Sequence, residues 1–221
     1  MKNYLFQDRT KDGKTRKELR FTICVSGAAA GKTVTESAEK AEQIGAQIAK
    51  RGHILTTGAT VGLPYHAAKG AHAEGGMIIG YSPAVSLREH LRKYRLPYEY
   101  FSFINFTGLQ YVGRNLYLVQ SSDAVITVGG RFGSLHEFAS AVEAGKPCGV
   151  LLGSGGAADV IPALIQQLDT NMQRYVVYDT DPKKLVDKIE AILQEDLEDV
   201  RAQFAHRDQF WFVEKSQTRR G

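Results

Sequence analysis

Cysteine is scarce in this sequence of 221 residues, which contains only Cys24 and Cys148. Both lie in apolar runs typical of buried strands, so we expect two reduced core thiols and no disulfide. No apolar run is long enough to span a bilayer, and residues 1–20 lack the apolar segment of a secretory signal. These absences predict a cytoplasmic protein that does not contact a membrane.

The sequence also has few histidines and a low net charge. No pair of the six histidines has the spacing of a helical or finger-type metal site, so we expect no protein-ligated metal. Residues 1–20 hold seven Lys or Arg against three Asp or Glu, whereas the body of the chain is close to neutral. A neutral body lacks the concentrated positive face that attracts nucleic acids, so nucleic acid is not an expected partner. The basic arm is either a solvated tail or a polyanion contact.

Apolar runs bounded by glycine alternate with helical patterns along the chain. The predicted strands are Phe21–Ser26, His53–Thr57, Gly76–Gly80, Tyr98–Phe103, Ala124–Val128, Cys148–Leu152 and Tyr175–Tyr178. This alternation predicts one three-layer, Rossmann-like α/β domain over residues 21–196, with a doubly wound, mostly parallel sheet of about seven strands. Residues 1–20 are predicted to be a polar basic arm, and residues 197–221 an aromatic and basic extension beyond the last helix.

Helix boundaries and aromatic residues give further expectations. Thr33 with Glu36 predicts a capping box for the first helix, and Asp181 before Pro182 predicts the start of the last one. The segment 86–97 resembles a surface helix or a flexible loop. Aromatic residues around the fourth strand could stack on a base, but core packing is the usual role of such residues. They are Tyr98, Tyr100, Phe101, Phe103 and Phe106.

The first glycine-rich turn follows a strand and opens a helix. A nucleoside-triphosphate P-loop needs four residues before its Gly-Lys-Thr, but only three separate Gly27 from Gly31, so a true P-loop is not expected. Free N–H groups and the helix dipole would still favour an anion there. We therefore predict that Gly27 belongs to a phosphate site.

Two more turns have the same strand-to-helix placement. The second contains Gly58, Thr60 and Gly62, and it is either a ligand loop or a tight turn without a ligand. The third opens a helix in which Ser134 and Glu137 fit a capping box, although Glu137 could instead face a ligand. The candidate phosphate-binding residues of this third turn are Gly129, Gly130, Arg131, Gly133 and Ser134.

Three segments, in this order, resemble a known family. They are TGATVGLPYHAAKGAHAEGGMIIGYSP, TGLQYVGRN and SSDAVITVGGRFGSLHE. Together they look like the LOG-type proteins, often labelled lysine decarboxylase-like, and their relatives among molybdenum cofactor carrier proteins and the DNA-processing protein DprA. The resemblance covers roughly residues 21–180 and implies a Rossmann-like fold.

The resemblance also implies a catalytic pair. LOG enzymes are phosphoribohydrolases that split the base from a nucleoside 5′-monophosphate, with a Pro-Gly-Gly-x-Gly-Thr-x-x-Glu motif and an upstream arginine. The matching catalytic candidates here are Glu137, which would stabilise charge on the ribose, and Arg114, which would position the ligand. Arg114 could otherwise form a salt bridge on a helix. Four positions depart from the pattern: Gly129 replaces the proline, Arg131 the second glycine, Ser134 the threonine, and Asn115 the usual lysine.

The leading hypothesis is therefore a LOG-like phosphoribohydrolase, or a close relative that binds a small phosphorylated, nucleotide-like ligand. The alternative is a non-catalytic carrier or sensor of a nucleotide or molybdopterin-type cofactor, which Arg114-Asn115 and the altered Gly129-Gly130-Arg131 favour. DprA-like single-stranded DNA binding is a third hypothesis, and it is disfavoured because the body of the chain carries almost no net charge. No cofactor is required by these hypotheses, although an AMP-like nucleotide or a molybdopterin-type ligand would suit the turns. A homo-oligomer is expected, because LOG relatives are commonly dimers.

Overall fold

The computed structural model describes residues 19–168 and 175–205. The chain divides into a unit spanning Arg20–Leu193 and a second unit made from the two chain ends, of which Leu19 and residues 194–205 are described. The first unit contains the sheet and the site discussed below. Among the described helices, none is long and apolar enough to cross a membrane.

Seven parallel strands form one sheet in the order β4-β3-β2-β1-β5-β6-β7. They are β1 (Thr22–Gly27), β2 (Ile54–Thr57), β3 (Met77–Ser82), β4 (Phe103–Phe106), β5 (Ala124–Val128), β6 (Cys148–Leu151) and β7 (Val176–Asp179). At the centre, Ile23 pairs with Leu55 on one side and with Ala124 on the other. β5 and β6 are buried throughout, as expected for strands covered on both faces.

Each of these strands is followed by a helix. They are α1 (Lys32–Lys50), α2 (Leu63–Ala73), α3 (Leu87–Arg92), α4 (Gln110–Gln120), α5 (Phe132–Glu143), α6 (Ala157–Leu168) and α7 (Pro182–Ala205). The chain winds outward from β1 to β4 and then returns through α4 to β5, which lies beside β1. The predicted three-layer Rossmann-like fold is confirmed. In such open sheets, ligands bind beyond the carboxyl ends of the strands where the winding direction reverses, here between β1 and β5.

The helices α1 and α2 pack unusually closely because each places a glycine at the contact. A Cβ atom at Gly45 would lie 1.9 Å from the carbonyl oxygen of Ala67, and one at Gly70 would lie 1.9 Å from that of Glu42. Any side chain at either position would therefore push the helices apart. This contact matters for function because α1 follows the first glycine turn and α2 follows the second.

The fourth strand differs from its prediction. A strand was expected over Tyr98–Phe103, but β4 begins only at Phe103. The preceding residues form a turn in which the Phe101 amide donates to the Tyr98 carbonyl at 3.2 Å, and pairing with β3 starts after it. Tyr98 and Phe103 are 51% and 62% exposed, so these two aromatic side chains do not fill the core.

The predicted start of the first helix is wrong, and that of the last helix is confirmed. α1 begins at Lys32, one residue before Thr33, without a side-chain cap, and Glu36 instead forms an ion pair with Lys32 at 3.2 Å. Asp181 caps α7 by accepting from the Lys184 amide at 2.9 Å. Ser86 caps α3 in the same way, so a short helix occupies the segment 86–97.

The chain ends bear on other predictions. α7 continues to Ala205, past the expected end at residue 196. Most of the predicted basic arm, residues 1–18, lies outside the described residues, as do the aromatic side chains Phe204, Phe210, Trp211 and Phe212. Cys24 and Cys148 are buried free thiols, as predicted.

Candidate functional site

A cleft of about 300 Å³ opens at the carboxyl edge of the sheet, beside the reversal between β1 and β5. The end of β1 and the first turn, Val25–Ala30, line one wall, and the second turn and the start of α2 line the next. α4 and the start of α5 complete it. The three glycine-rich turns identified in the sequence therefore surround one cavity.

Nine of the twelve predicted site residues line this cleft. They are Gly27, Gly58, Thr60, Arg114, Asn115, Arg131, Gly133, Ser134 and Glu137. Gly62, Gly129 and Gly130 do not line it. Three of the predicted glycines thus lie behind the surface of the cleft.

These three glycines hold the turns together. The Gly129 amide donates to Ser154 Oγ at 2.7 Å, and the carbonyls of Gly129 and Gly130 accept from the first amides of α6 at 3.0 Å. Gly62 precedes α2, and a Cβ atom there would lie 2.2 Å from the carbonyl oxygen of Ala28 in the first turn. Their contacts are with neighbouring loops, so their part in any ligand site is to position its walls.

Arg114 and Glu137 form a buried ion pair in the wall of the cleft. Arg114 Nη1 lies 3.2 Å from Glu137 Oε1, and Ser26 Oγ donates to the other carboxylate oxygen. The two charged side chains are only 5% and 9% exposed. A Cβ atom at Gly58 would lie 2.2 Å from Arg114 Nη1, so the guanidinium lies directly across the second turn. The pair joins the first strand, the second turn, α4 and α5.

Burial dominates the electrostatics of this pair. It raises the pKa of Glu137 above the ordinary 4.5, although the charge of Arg114 and the Ser26 hydroxyl both favour the carboxylate. Burial likewise lowers the pKa of Arg114 against the opposing pull of Glu137. Glu137 is therefore not the capping residue that its spacing from Ser134 suggested, because α5 begins without a side-chain cap and the carboxylate bonds to other elements.

The helices α1, α2, α4 and α5 all begin without a side-chain cap, and two of these starts follow the first and the third glycine turn. α1 follows Gly31 and α5 follows Arg131, and neither preceding residue makes a side-chain hydrogen bond to its helix. The first amides of a helix have no partner within it, and they attract anions. By contrast, α3 and α7 are capped by Ser86 and Asp181. The uncapped starts at this edge are available to an anionic ligand.

One buried polar atom of the cleft has no hydrogen-bond partner among the described residues. It is Arg114 Nε, which is fully buried. The two other such atoms in the described part of the chain, His53 Nδ1 and Thr127 Oγ1, belong to residues that do not line the cleft. Buried polar groups in proteins are almost always hydrogen-bonded, so the unpartnered guanidinium nitrogen in the wall of the cleft favours a role for Arg114 in ligand binding.

Arg131 occupies the position where the LOG motif has a glycine, and it does not block the cleft. Its Nη2 atom donates to the Ala30 carbonyl at 3.1 Å, which connects the third turn to the first. The guanidinium fits because residue 31 is glycine, where a Cβ atom would lie 2.6 Å from Arg131 Nη2. Arg131 thus adds a positive charge at the mouth of the cleft.

The comparisons with known proteins agree with this arrangement. A model of the SLOG cluster4 family matches residues 20–186 of the chain. The chain belongs to the SLOG cluster4 family. This membership confirms the LOG-type resemblance inferred from the three sequence segments.

Relatives of this SLOG protein include a curated sequence and solved structures. An uncharacterised protein of Archaeoglobus fulgidus is 34% identical over 117 residues, which make up 53% of this chain and 72% of that protein. The molybdenum cofactor binding protein of Rippkaea orientalis is 29% identical, with a TM-score of 0.64. The molybdenum cofactor carrier protein of Chlamydomonas reinhardtii is 26% identical, with a TM-score of 0.65. Each structural match covers 80% of this chain and 99% of the other.

Sequence reasoning missed one prominent residue of the SLOG cleft. Tyr111 lines the cleft from the first turn of α4, but it was not among the predicted site residues. It lies three residues before Arg114, and residues at that spacing share a helix face. The helical spacing within TGLQYVGRN would have found it, had α4 been placed there from the sequence.

Proposed function

We propose that this SLOG protein binds a small phosphorylated ligand of the nucleotide or pterin type in the cleft and holds it without cleaving it. The buried guanidinium nitrogen of Arg114 that lacks a hydrogen-bond partner carries the proposal, together with the polar side chains of Thr60, Asn115 and Ser134 that line the same cleft. The ligand's phosphate would lie at the uncapped starts of α1 and α5, where Arg131 supplies a second positive charge.

The size of the cleft limits the ligand. Small-molecule sites usually enclose about 300–1,000 Å³, and this cleft, at about 300 Å³, lies at the lower end of that range. A single nucleotide or a single pterin phosphate suits this volume better than a dinucleotide. A molybdopterin-type ligand fits the donor set, because its phosphate and ring edge need the amides and side-chain hydrogen bonds that the cleft offers. Two solved relatives are named as molybdenum cofactor proteins, which supports this ligand class.

The surroundings of Glu137 favour binding over hydrolysis. An N-glycosidic hydrolase needs a carboxylate that can approach the ribose and activate water. Here one oxygen of Glu137 accepts from Arg114 and the other accepts from Ser26. Both oxygens are engaged in holding the wall of the cleft together, which supports a structural role for the carboxylate.

Phosphoribohydrolase activity is the second candidate, and one observation favours it. Glu137 lines the cleft and burial raises its pKa, a combination that is common among catalytic acids and bases. Movement of Ser26 or Arg114 on ligand binding would free an oxygen for chemistry.

One experiment separates the two functions. The purified protein is titrated with AMP and GMP in a calorimeter, and the same mixtures are then analysed by chromatography for free base. We expect saturable binding with no release of base. If wild type releases base and Glu137→Gln does not, while the variant still binds the nucleotide, then the protein is a hydrolase. If neither nucleotide binds and neither is cleaved, both functions are wrong for nucleoside monophosphates.

A further inference from the structure

The inner face of α4 presents three side chains to the cleft. Tyr111, Arg114 and Asn115 all line it, and their spacing of three and four residues places them on one face of the helix. Arg114 is engaged by Glu137, as described above. Tyr111 and Asn115 take no part in the ion pair. They offer an aromatic ring and a side-chain amide, whereas the glycine turns offer backbone N–H groups and the charge of Arg131.

Tyr111 offers an aromatic surface at the cleft. It is 45% exposed, and its ring makes an edge-to-face contact with Tyr94, with the ring centroids 5.5 Å apart and the planes at 85°. Such a contact restricts rotation of the ring, so the ring is held in place before any ligand arrives. Flat heterocycles stack favourably on aromatic side chains of this kind.

Asn115 adds hydrogen-bonding capacity one helical turn further along. The residue is 7% exposed, and its amide makes no hydrogen bond to any residue in the described part of the chain. An amide presents a donor and an acceptor side by side, which matches the edge of a ring that carries an acceptor next to a donor. Purines and pterins both have such edges, whereas a sugar phosphate has no ring nitrogen to offer.

We propose that α4 forms a ring subsite, in which Tyr111 stacks on a purine or pterin ring and the Asn115 amide pairs with the edge of that ring. This inference rests on the proposed function, because it assigns the phosphate of the same ligand to the starts of α1 and α5. The ring and the phosphate then occupy different walls of the cleft, and each wall contributes separately to affinity.

The test uses three probes that divide the ligand into its parts. GMP carries a ring and a phosphate, guanosine only the ring, and ribose 5-phosphate only the phosphate. Guanine is chosen because it shares its fused amino-oxo pyrimidine ring with pterins. Calorimetry on Tyr111→Leu should show affinities for GMP and guanosine that are roughly tenfold to a hundredfold lower. The affinity for ribose 5-phosphate should stay within about twofold of wild type.

Matched variants control for effects on folding. Tyr111→Phe keeps the ring and should bind GMP as wild type does. Tyr117→Leu removes a tyrosine of similar exposure from the same helix but outside the cleft, and it should leave all three affinities unchanged. Asn115→Leu should bind GMP and guanosine more weakly than wild type does, and its affinity for ribose 5-phosphate should be unchanged.

The outcomes distinguish failure of the ring subsite on α4 from failure of the phosphate site at the starts of α1 and α5. If Tyr111→Leu leaves GMP binding unchanged, or weakens ribose 5-phosphate as much as GMP, the ring subsite is wrong while phosphate binding stands. If guanosine binds wild type as tightly as GMP does, and Tyr111→Leu loses affinity for both, the ring subsite stands and the phosphate site is wrong. If none of the three probes binds wild type, both claims are overturned.

Discussion

At the residue scale, the ion pair between Arg114 and Glu137 places two charges in a buried position. Two charges removed from water lose hydration that their mutual attraction does not always restore, so buried pairs often add little net stability. Here the pair also connects four elements around the cleft, and one nitrogen of Arg114 has no partner. The unpartnered nitrogen lies beside the cleft, so we propose that Arg114 binds the ligand in addition to holding Glu137.

Removing Arg114 should make stability depend on pH in a defined direction. Arg114→Met leaves Glu137 as a buried carboxylate without its cation, and loss of one member of a buried pair costs about 3–5 kcal/mol. The charge of Arg114 opposes the effect of burial, so its loss should raise the pKa of Glu137 further above 4.5. A raised pKa in the folded state means that the contribution of this group to stability is present at low pH and is lost as pH rises.

Urea unfolding at pH 5 and pH 8 measures this effect. We expect Arg114→Met to lose more stability, relative to wild type, at pH 8 than at pH 5. The double variant Arg114→Met with Glu137→Gln has no buried carboxylate at this site and should lose the extra pH dependence. An equal loss at both pH values in the single variant would show that Glu137 does not become a stranded charge.

Individual residues differed in how far the sequence could place them. The sequence identified Arg114 and Glu137 because the family resemblance marks both positions. It did not reveal their contact, because the two residues are 23 positions apart in sequence and meet only in the folded chain. Gly130 matches the family motif and Gly129 replaces its proline, yet the carbonyls of both residues accept from amides of α6. No local pattern reveals that a more distant helix will use these groups.

At the scale of elements, the packing of α1 on α2 positions the first two turns. Gly70→Ala would place a Cβ atom 1.9 Å from the Glu42 carbonyl oxygen, which belongs to backbone and cannot rotate away. Forcing extra volume into a packed contact costs about 1–3 kcal/mol or more. We expect the variant to unfold at a lower urea concentration than wild type and to bind GMP more weakly, because both turns must move.

Gly133→Ala is the matched control for that prediction. No atom lies within 4 Å of the Cβ position at Gly133, and the residue lies in the first turn of α5. Since alanine is favoured over glycine in helices by roughly 0.5–1 kcal/mol, this variant should be as stable as wild type or slightly more so. Equal stability of Gly70→Ala and Gly133→Ala would mean that α1 and α2 can separate freely.

The elements show what periodicity can and cannot predict. The buried central strands were predicted nearly to the residue, because strands covered on both faces are apolar throughout. The edge strand β4 was misplaced, since its aromatic run continues from the turn at Tyr98 into the strand with no change in composition. The capping box at Thr33 was wrong because α1 begins one residue earlier, at Lys32, and Glu36 forms an ion pair with Lys32 instead of reaching back to the helix start.

At the scale of the whole molecule, the sheet should open as one unit, and its two thiols report on that opening. Cys24 lies in β1 and Cys148 in β6, and both are fully buried in the core. Burial raises the pKa of Cys148 to about 12 and that of Cys24 well above its ordinary value. Thiol reagents attack the thiolate, so neither cysteine should react in the native state at pH 8.

Labelling with a chromogenic thiol reagent tests this cooperativity. In denaturant both thiols of the chain should react at once, whereas under native conditions both should react slowly and at the same rate, set by unfolding of the sheet. GMP at 100 times its dissociation constant should slow the labelling, because a ligand that binds only the folded state stabilises it by about 2.7 kcal/mol at that concentration. If Cys148 reacts faster than Cys24, then β6 opens without β1. In that case GMP should protect Cys24 more than Cys148, since the cleft lies at the carboxyl end of β1.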